Sequence, residues 1–170
     1  MKSSITELKP IADVYIRIKG ETLGLEMVDS VGFFKFENLE PNKIYTLEVT
    51  ALGYPNKTFE IKTNEGVTET TLTIEATCEY NEAKAAADWK RGKAKLLLIG
   101  SIAPVTNSSA DYTFQQKYKI KYYDFGCTPP TDECIKLYNQ QIFDLMDKKY
   151  GKVWRKEVRI DVPYLYQTTN

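Results

Sequence analysis

Histidine is absent from this sequence of 170 residues, and its absence excludes several kinds of catalytic site. A chain without histidine cannot form a Ser–His or Cys–His pair, and it lacks the commonest general base and the commonest nitrogen ligand of zinc. We therefore expect no catalytic residue, no cofactor and no metal site. The sequence favours a protein that is not an enzyme.

Long hydrophobic runs are also missing. The longest apolar run, residues 96–99, has the length of a strand, whereas a membrane-spanning helix needs roughly 20 apolar residues. Residues 1–8 contain one lysine and no hydrophobic block, so they do not form a secretory signal. We expect no membrane span, and the protein is either cytoplasmic or has lost an export signal.

Net charge is zero, but the two halves of the sequence differ in sign. Residues 1–75 carry 8 basic against 12 acidic side chains, and residues 76–170 carry 15 against 11. Such an asymmetry influences association with other molecules or between domains rather than the fold itself.

Apolar side chains recur at every second position in the first part of the chain, which is typical of half-buried strands. The first such run covers residues 12–18. Further alternating runs lie near residues 23–27, 34–36, 44–50, 59–61 and 67–75. Several short strands at even spacing, separated by glycine, asparagine and proline, predict an all-β antiparallel sandwich over residues 1–76.

A motif within this region resembles the carboxypeptidase regulatory-like domains. It reads Asp29-x-x-Gly32-x-Phe34-x-Phe36-x-Asn38-Leu39-x-Pro41, followed by Tyr45-x-Leu47-x-Val49-x-Ala51-x-Gly53-Tyr54. The resemblance covers residues 11–75 and implies a prealbumin-like (transthyretin-like) sandwich. It also implies a non-catalytic module attached to other functional parts, usually outside the cytoplasm, so it favours an extracytoplasmic location over a cytoplasmic one.

The resemblance departs from the family pattern at its front. The family's first strand and glycine turn are reduced here to residues 3–8. We therefore expect an open or swapped sheet edge at this point.

The hydrophobic period changes from two to about 3.6 near residue 77, which predicts a second, small α/β domain over residues 77–170. Predicted helices cover residues 79–91 and 111–118, and a long C-terminal helix begins after Thr131 and ends at Gly151. Predicted strands cover residues 95–99 and 120–125. Parts of this domain resemble a family of small uncharacterised bacterial proteins, and that resemblance implies no activity.

Two cysteines, Cys127 and Cys134, flank a double proline, and Cys134 falls near the start of the long predicted helix. A helix N-terminus lowers the pKa of a thiol. Three interpretations remain open: a structural Cys127–Cys134 disulfide, two buried thiols, or a redox pair with Cys134 as attacking thiolate and Cys127 as resolving partner. Cys78 is expected to be a buried thiol at the domain junction.

Basic residues interleaved with an aromatic side chain form a candidate partner-binding surface near the C-terminus. Its members are Lys148, Lys152, Trp154, Arg155 and Arg159. Phosphate contacts and base stacking could make it a nucleic-acid site, but a solvated basic face with its tryptophan in the core is the favoured interpretation. The function that the sequence favours is a non-enzymatic binding or accessory protein with a protein partner.

Overall fold

The computed structural model describes residues 1–21, 24–100 and 106–166. The chain divides into two compact units, Met1–Thr77 and Cys78–Asn170. The boundary falls where the hydrophobic period of the sequence changes, and each unit has a hydrophobic core of its own.

The first unit contains a four-stranded antiparallel sheet in the order β3-β2-β4-β5. Its strands are β2 Val14–Ile18, β3 Leu25–Met27, β4 Ile44–Ala51 and β5 Lys57–Lys62. A second, much shorter pair joins β1 Lys2–Ser3 to β6 Thr73–Ile74 in parallel.

The alternation in β2 and β4 places one face of the sheet in the core. Val14, Ile16 and Ile18 are buried, and Leu47 and Val49 of β4 are buried beside them. Because each large apolar side chain contributes about 1.5–3 kcal/mol when it is buried, this face is the main source of stability in the unit. The strand predicted at residues 12–18 is confirmed.

The predicted all-β antiparallel sandwich is wrong. The described chain is a mixed α/β protein with small open sheets of two to four strands, and the described part of the first unit has, besides its four-stranded sheet, only the two-residue parallel pair β1–β6. Residues 34–36 alternate as a strand should, yet they form no ladder. Alternation decides which side chains face a core, but it does not supply a hydrogen-bonding neighbour.

The second unit contains three helices and two parallel strands in its described residues. They are α1 Glu82–Lys90, β7 Lys95–Leu98, α2 Ser109–Tyr118, β8 Lys121–Asp124 and α3 Asp132–Tyr150, followed by a 3₁₀ helix, Gly151–Lys156. These elements confirm the predicted helices and strands, with shifted bounds. α1 begins later than predicted because the Asn81 side chain accepts a hydrogen bond from the Lys84 N–H at 2.9 Å and caps the helix.

One face of α3 forms the centre of the second core. Its buried side chains include Ile135, Tyr138, Ile142, Phe143 and Met146. Gly151, at a φ of +67°, ends the helix in a conformation that glycine adopts without strain.

Candidate binding groove

A groove of about 1080 Å³ lies within the first unit. Its floor includes Tyr45 and Leu47 of β4 and Ile61 of β5, and its two walls are formed by residues 31–39 and residues 64–71. Tyr45 and Leu47 are buried and Ile61 is half-buried. The floor is therefore apolar and is carried by the four-stranded sheet.

Residues 33–37 of the first wall have the side-chain pattern of a strand but no regular secondary structure. Phe34 and Phe36 are half-buried and pack edge to face with their ring centroids 6.3 Å apart, while Lys35 and Glu37 are exposed. Asp29 sets up this segment, because its Oδ1 accepts a hydrogen bond from the Phe33 N–H at 2.7 Å. Within the described residues, the backbone groups of residues 34–37 have no hydrogen-bond partner.

Lys35 and Glu37 neutralise each other on the rim of this wall. They form an ion pair, and the hydrogen bond between them lowers the pKa of the Glu37 carboxyl and raises that of the Lys35 ammonium. Both side chains are therefore charged at neutral pH and are already paired, so this rim offers little net charge to a ligand.

The second wall begins with a turn and continues as residues 67–71, which have no regular secondary structure. Asn64 donates its N–H to the Thr68 hydroxyl at 2.9 Å, which fixes the turn. Between residues 67 and 71, no backbone hydrogen bond joins the wall to another part of the described chain. Both walls thus expose donors and acceptors that a polypeptide could pair with.

The groove is suited to binding rather than to chemistry. Its polar lining residues are four threonines, the Lys35–Glu37 pair, two asparagines, Glu69 and Tyr45. No histidine or cysteine occurs among the described lining residues. The alternating pattern predicted strands near residues 34–36 and 67–75, but within the described residues only Thr73–Ile74 of these forms a strand.

Of the three interpretations of Cys127 and Cys134, a disulfide between them is wrong, because Cys134 is bonded to Cys78, with the two Cα atoms 5.3 Å apart. Cys134 is the third residue of α3 and faces the core with no exposed surface, whereas Cys127 lies on an exposed turn after β8 and is free. Closeness in sequence was misleading, since the helix directs Cys134 away from that turn. Cys78 was expected to be a buried thiol at the domain junction, but it is half-buried and forms the disulfide with Cys134.

The burial of Cys134 argues against the interpretation of Cys127 and Cys134 as a redox pair. An attacking thiolate must be accessible, but Cys134 is fully buried and its sulfur lies 2.7 Å from the Thr131 hydroxyl. The structure therefore does not bring Cys127 and Cys134 together as an attacking and a resolving thiol.

Trp154 and Arg155, two of the predicted partner-binding residues, form an internal cluster instead. Trp154 is fully buried and donates its Nε1–H to Asp147 Oδ1 at 2.8 Å. Arg155 pairs with Asp147 through Nε and Nη2 and donates to the Leu165 carbonyl at 2.8 Å. Burial raises the pKa of Asp147, but the hydrogen bonds from Arg155 and Trp154 outweigh it and lower the pKa overall.

The other predicted basic residues do not complete a binding surface around this cluster. The Arg159 side chain is 7% exposed and pairs with Asp161, and its guanidinium lies over the Tyr122 ring at 5.2 Å from the centroid. Lys148 and Lys152 are exposed. Because the aromatic member is buried and both arginines are engaged, no continuous basic and aromatic face forms here.

Compared with protein-family models, with curated proteins and with solved structures, the chain matches none. Among the described helices, none combines the length and apolar character needed to cross a bilayer. The described residues also contain no group of three or more cysteine, aspartate or glutamate side chains placed to hold a metal ion.

Proposed function

We propose that the protein is a non-enzymatic binding protein and that a protein partner docks in the groove of the first unit. One observation carries this proposal. An apolar floor lies between two walls, and the backbone donors and acceptors of residues 34–37 and 67–71 in these walls have no partner in the described chain. Unpaired strand-like edges beside an apolar surface are the features through which proteins capture extended peptides.

The shape and chemistry of the groove favour a polypeptide over a small metabolite. Small-molecule sites have a few converging polar groups, whereas this groove of about 1080 Å³ runs between two segments of chain. Lys35 and Glu37 are paired with each other, so they do not form a charged cluster for a charged metabolite. Backbone groups and threonine hydroxyls suit another peptide backbone.

The acidic balance of the first unit supports a protein partner over nucleic acid. Residues 1–75 have more acidic than basic side chains, and nucleic-acid binding relies on neutralising phosphates with lysine and arginine. In the second unit, Arg155 and Arg159 already pair with carboxylates.

A peptide selection tests this function. Dodecapeptides from a random phage-displayed library would be selected on the full chain, and their dissociation constants measured by fluorescence anisotropy. The double variant Phe33→Asp, Val67→Asp places charges at two exposed positions of the groove walls, 61% and 86% exposed, so it should fold normally. Leu52→Asp, at an exposed position outside the groove lining, is the matched control.

We expect the double variant to weaken the selected peptides at least about tenfold, because each new carboxylate would have to lose water beside an apolar ligand. The control should change affinity less than about twofold. If no selected peptide distinguishes the double variant from the control, the groove is not the binding site and the proposal fails.

A further inference from the structure

The short strand β1 lies between the ends of the two groove walls. On one side, Lys2 donates its N–H to the Leu72 carbonyl and Ser4 donates to the Ile74 carbonyl, both at 2.9 Å. On the other side, the amino group of Met1 donates to the Gly32 carbonyl at 2.6 Å. Gly32 lies near the start of the first wall, and Leu72 directly follows the second. β1 therefore occupies the gap between the two walls at one end of the groove.

The pairing of β1 with β6 shows in which direction an extension of strand β1 would run. β1 pairs in parallel with β6, with Lys2 opposite Thr73 and Ser3 opposite Ile74. Met1, which precedes β1, lines the groove together with residues 67–71, which precede β6. Extending the line of β1 past Met1 therefore leads directly into the groove, alongside the second wall.

The direction of the wall's backbone groups follows from the same ladder. The carbonyls of Leu72 and Ile74 face β1, and in a strand the backbone groups of alternate residues face the same side. The N–H and C=O of Thr70 therefore face the groove, whereas those of Thr71 face away from it.

We infer that the groove accepts an extended polypeptide as an additional β-strand, in line with β1 and parallel to residues 67–72. This inference rests on the proposed function and specifies how the partner binds. The incoming strand lies against residues 33–37 on its other side and runs in the opposite direction to them, because they lead away from Gly32. Apolar side chains at every second position of the partner face Tyr45, Leu47 and Ile61.

This mode of binding explains a feature that the two walls share. The segments near residues 34–36 and 67–71 have the alternation of strands but form no ladder, and no strand lies between them in the described chain. A strand supplied in trans would give both walls the neighbour that they lack.

Two synthetic peptides of the same sequence test the inference. The probe is an acetylated and amidated octapeptide in which threonine and valine alternate, and the control peptide is N-methylated at every second amide. The control retains the side chains but loses half of its donors. Titration of the isotope-labelled full chain, followed by NMR, gives both affinity and location.

We expect the probe to shift resonances of residues 33–37 and 67–71, and we expect the N-methylated peptide to bind at least about tenfold more weakly. A nitroxide on the C-terminus of the probe should broaden the resonances of Met1 and Gly32. A nitroxide on its N-terminus should not, because the strand runs towards Met1.

A pair of variants tests the wall in the same titration. Thr70→Pro removes an N–H that faces the groove, and Thr71→Pro removes one that faces away. Thr70→Pro should weaken the probe roughly tenfold and Thr71→Pro less than threefold. Circular dichroism and retained shift dispersion would show that both variants fold.

The outcomes separate the two proposals. Equal binding of the N-methylated peptide in the groove, equal effects of both proline variants, or no binding of the probe up to millimolar concentration would overturn the strand mode. Library peptides that still depend on the groove would then leave the proposed function standing. If neither the library peptides nor the probe depends on the groove, both the proposed function and the strand mode are overturned.

Discussion

Asn139 of α3 makes two hydrogen bonds to the backbone of Leu97 in β7. Its Nδ2 donates to the Leu97 carbonyl and its Oδ1 accepts from the Leu97 N–H, both at 2.9 Å. The register with β8 directs these Leu97 groups away from the neighbouring strand, so a side-chain amide takes the place of a third strand. The second unit thus satisfies its sheet edge internally, whereas the walls of the groove in the first unit remain unpaired.

Replacing Asn139 should destabilise the second unit strongly. Asn139→Leu leaves the buried Leu97 N–H and C=O without partners, and each unsatisfied group costs about 1–3 kcal/mol. We expect the free energy of unfolding, measured by urea titration, to fall by roughly 2–5 kcal/mol. Gln140→Leu, at the neighbouring half-buried position, should change it by less than about 1 kcal/mol. Equal effects would show that the amide does not support the strand.

Removing the disulfide should destabilise the protein through the unfolded state. Cys78 and Cys134 are 56 residues apart, and closing a loop of this length is worth about 4 kcal/mol in the loop-entropy model. Cys78→Ala combined with Cys134→Ala should lower the free energy of unfolding by up to that amount, while Cys127→Ala should leave it unchanged. Peptide mapping under non-reducing conditions should recover Cys78 linked to Cys134. Recovery of Cys127 in the linked peptide would contradict the assignment.

The Asp147 cluster should make stability depend on pH in the acid range. Because hydrogen bonds lower the folded-state pKa of Asp147 below its ordinary value of about 3.9, its contribution is complete above that value and is lost as pH falls through the folded pKa. We expect Asp147→Asn to reduce the free energy of unfolding by roughly 1.5–3 kcal/mol at pH 7.

The difference between wild type and Asp147→Asn should stay constant from about pH 7 to pH 5 and shrink below about pH 4. Asp144→Asn, on the exposed side of the same helix, serves as the control. A difference that grows as the pH falls would have the wrong sign for a carboxylate with a lowered pKa. Urea titrations at a series of pH values measure this directly.

Gly100 should tolerate no side chain. A Cβ atom at this position would lie 2.0 Å from the carbonyl oxygen of Gly126 and 2.3 Å from its nitrogen, and backbone atoms cannot move aside as a flexible side chain can. Gly100→Ala should therefore lower the free energy of unfolding by about 2 kcal/mol or more. Lys93→Ala, at an exposed position before β7, should be nearly neutral. A melting temperature unchanged in Gly100→Ala would show that the two turns are not in contact.

Local patterns in the sequence predicted most of the secondary structure. Alternation identified β2 and β4, and the change of period near residue 77 identified the helical part, including the end of α3 at Gly151. These features depend on contacts between neighbours in the sequence. The sandwich failed because alternation at residues 34–36 fixes side-chain direction without providing a paired strand.

The sites were less predictable than the elements. Trp154 is buried, as the favoured interpretation of the basic segment expected, but the sequence did not show that Asp147 accepts its hydrogen bond. Cys134 pairs with Cys78 because of the way α3 packs, and neither the spacing of the cysteines nor the composition predicts this pairing. The groove exists because two distant segments each lack a neighbour, which no local pattern shows.

Hydrogen exchange at the groove walls tests directly whether a polypeptide enters between them as an additional strand. The amides of residues 34–37 and the groove-facing amide of Thr70 should exchange rapidly in the free protein. When the alternating octapeptide is bound, the Thr70 amide and the alternate amides of residues 34–37 that face the bound strand should become protected together. Amides already protected in the free protein would mean that the walls pair with each other. Exchange that the peptide leaves unchanged would mean that no strand enters. Either result would contradict strand addition in the groove.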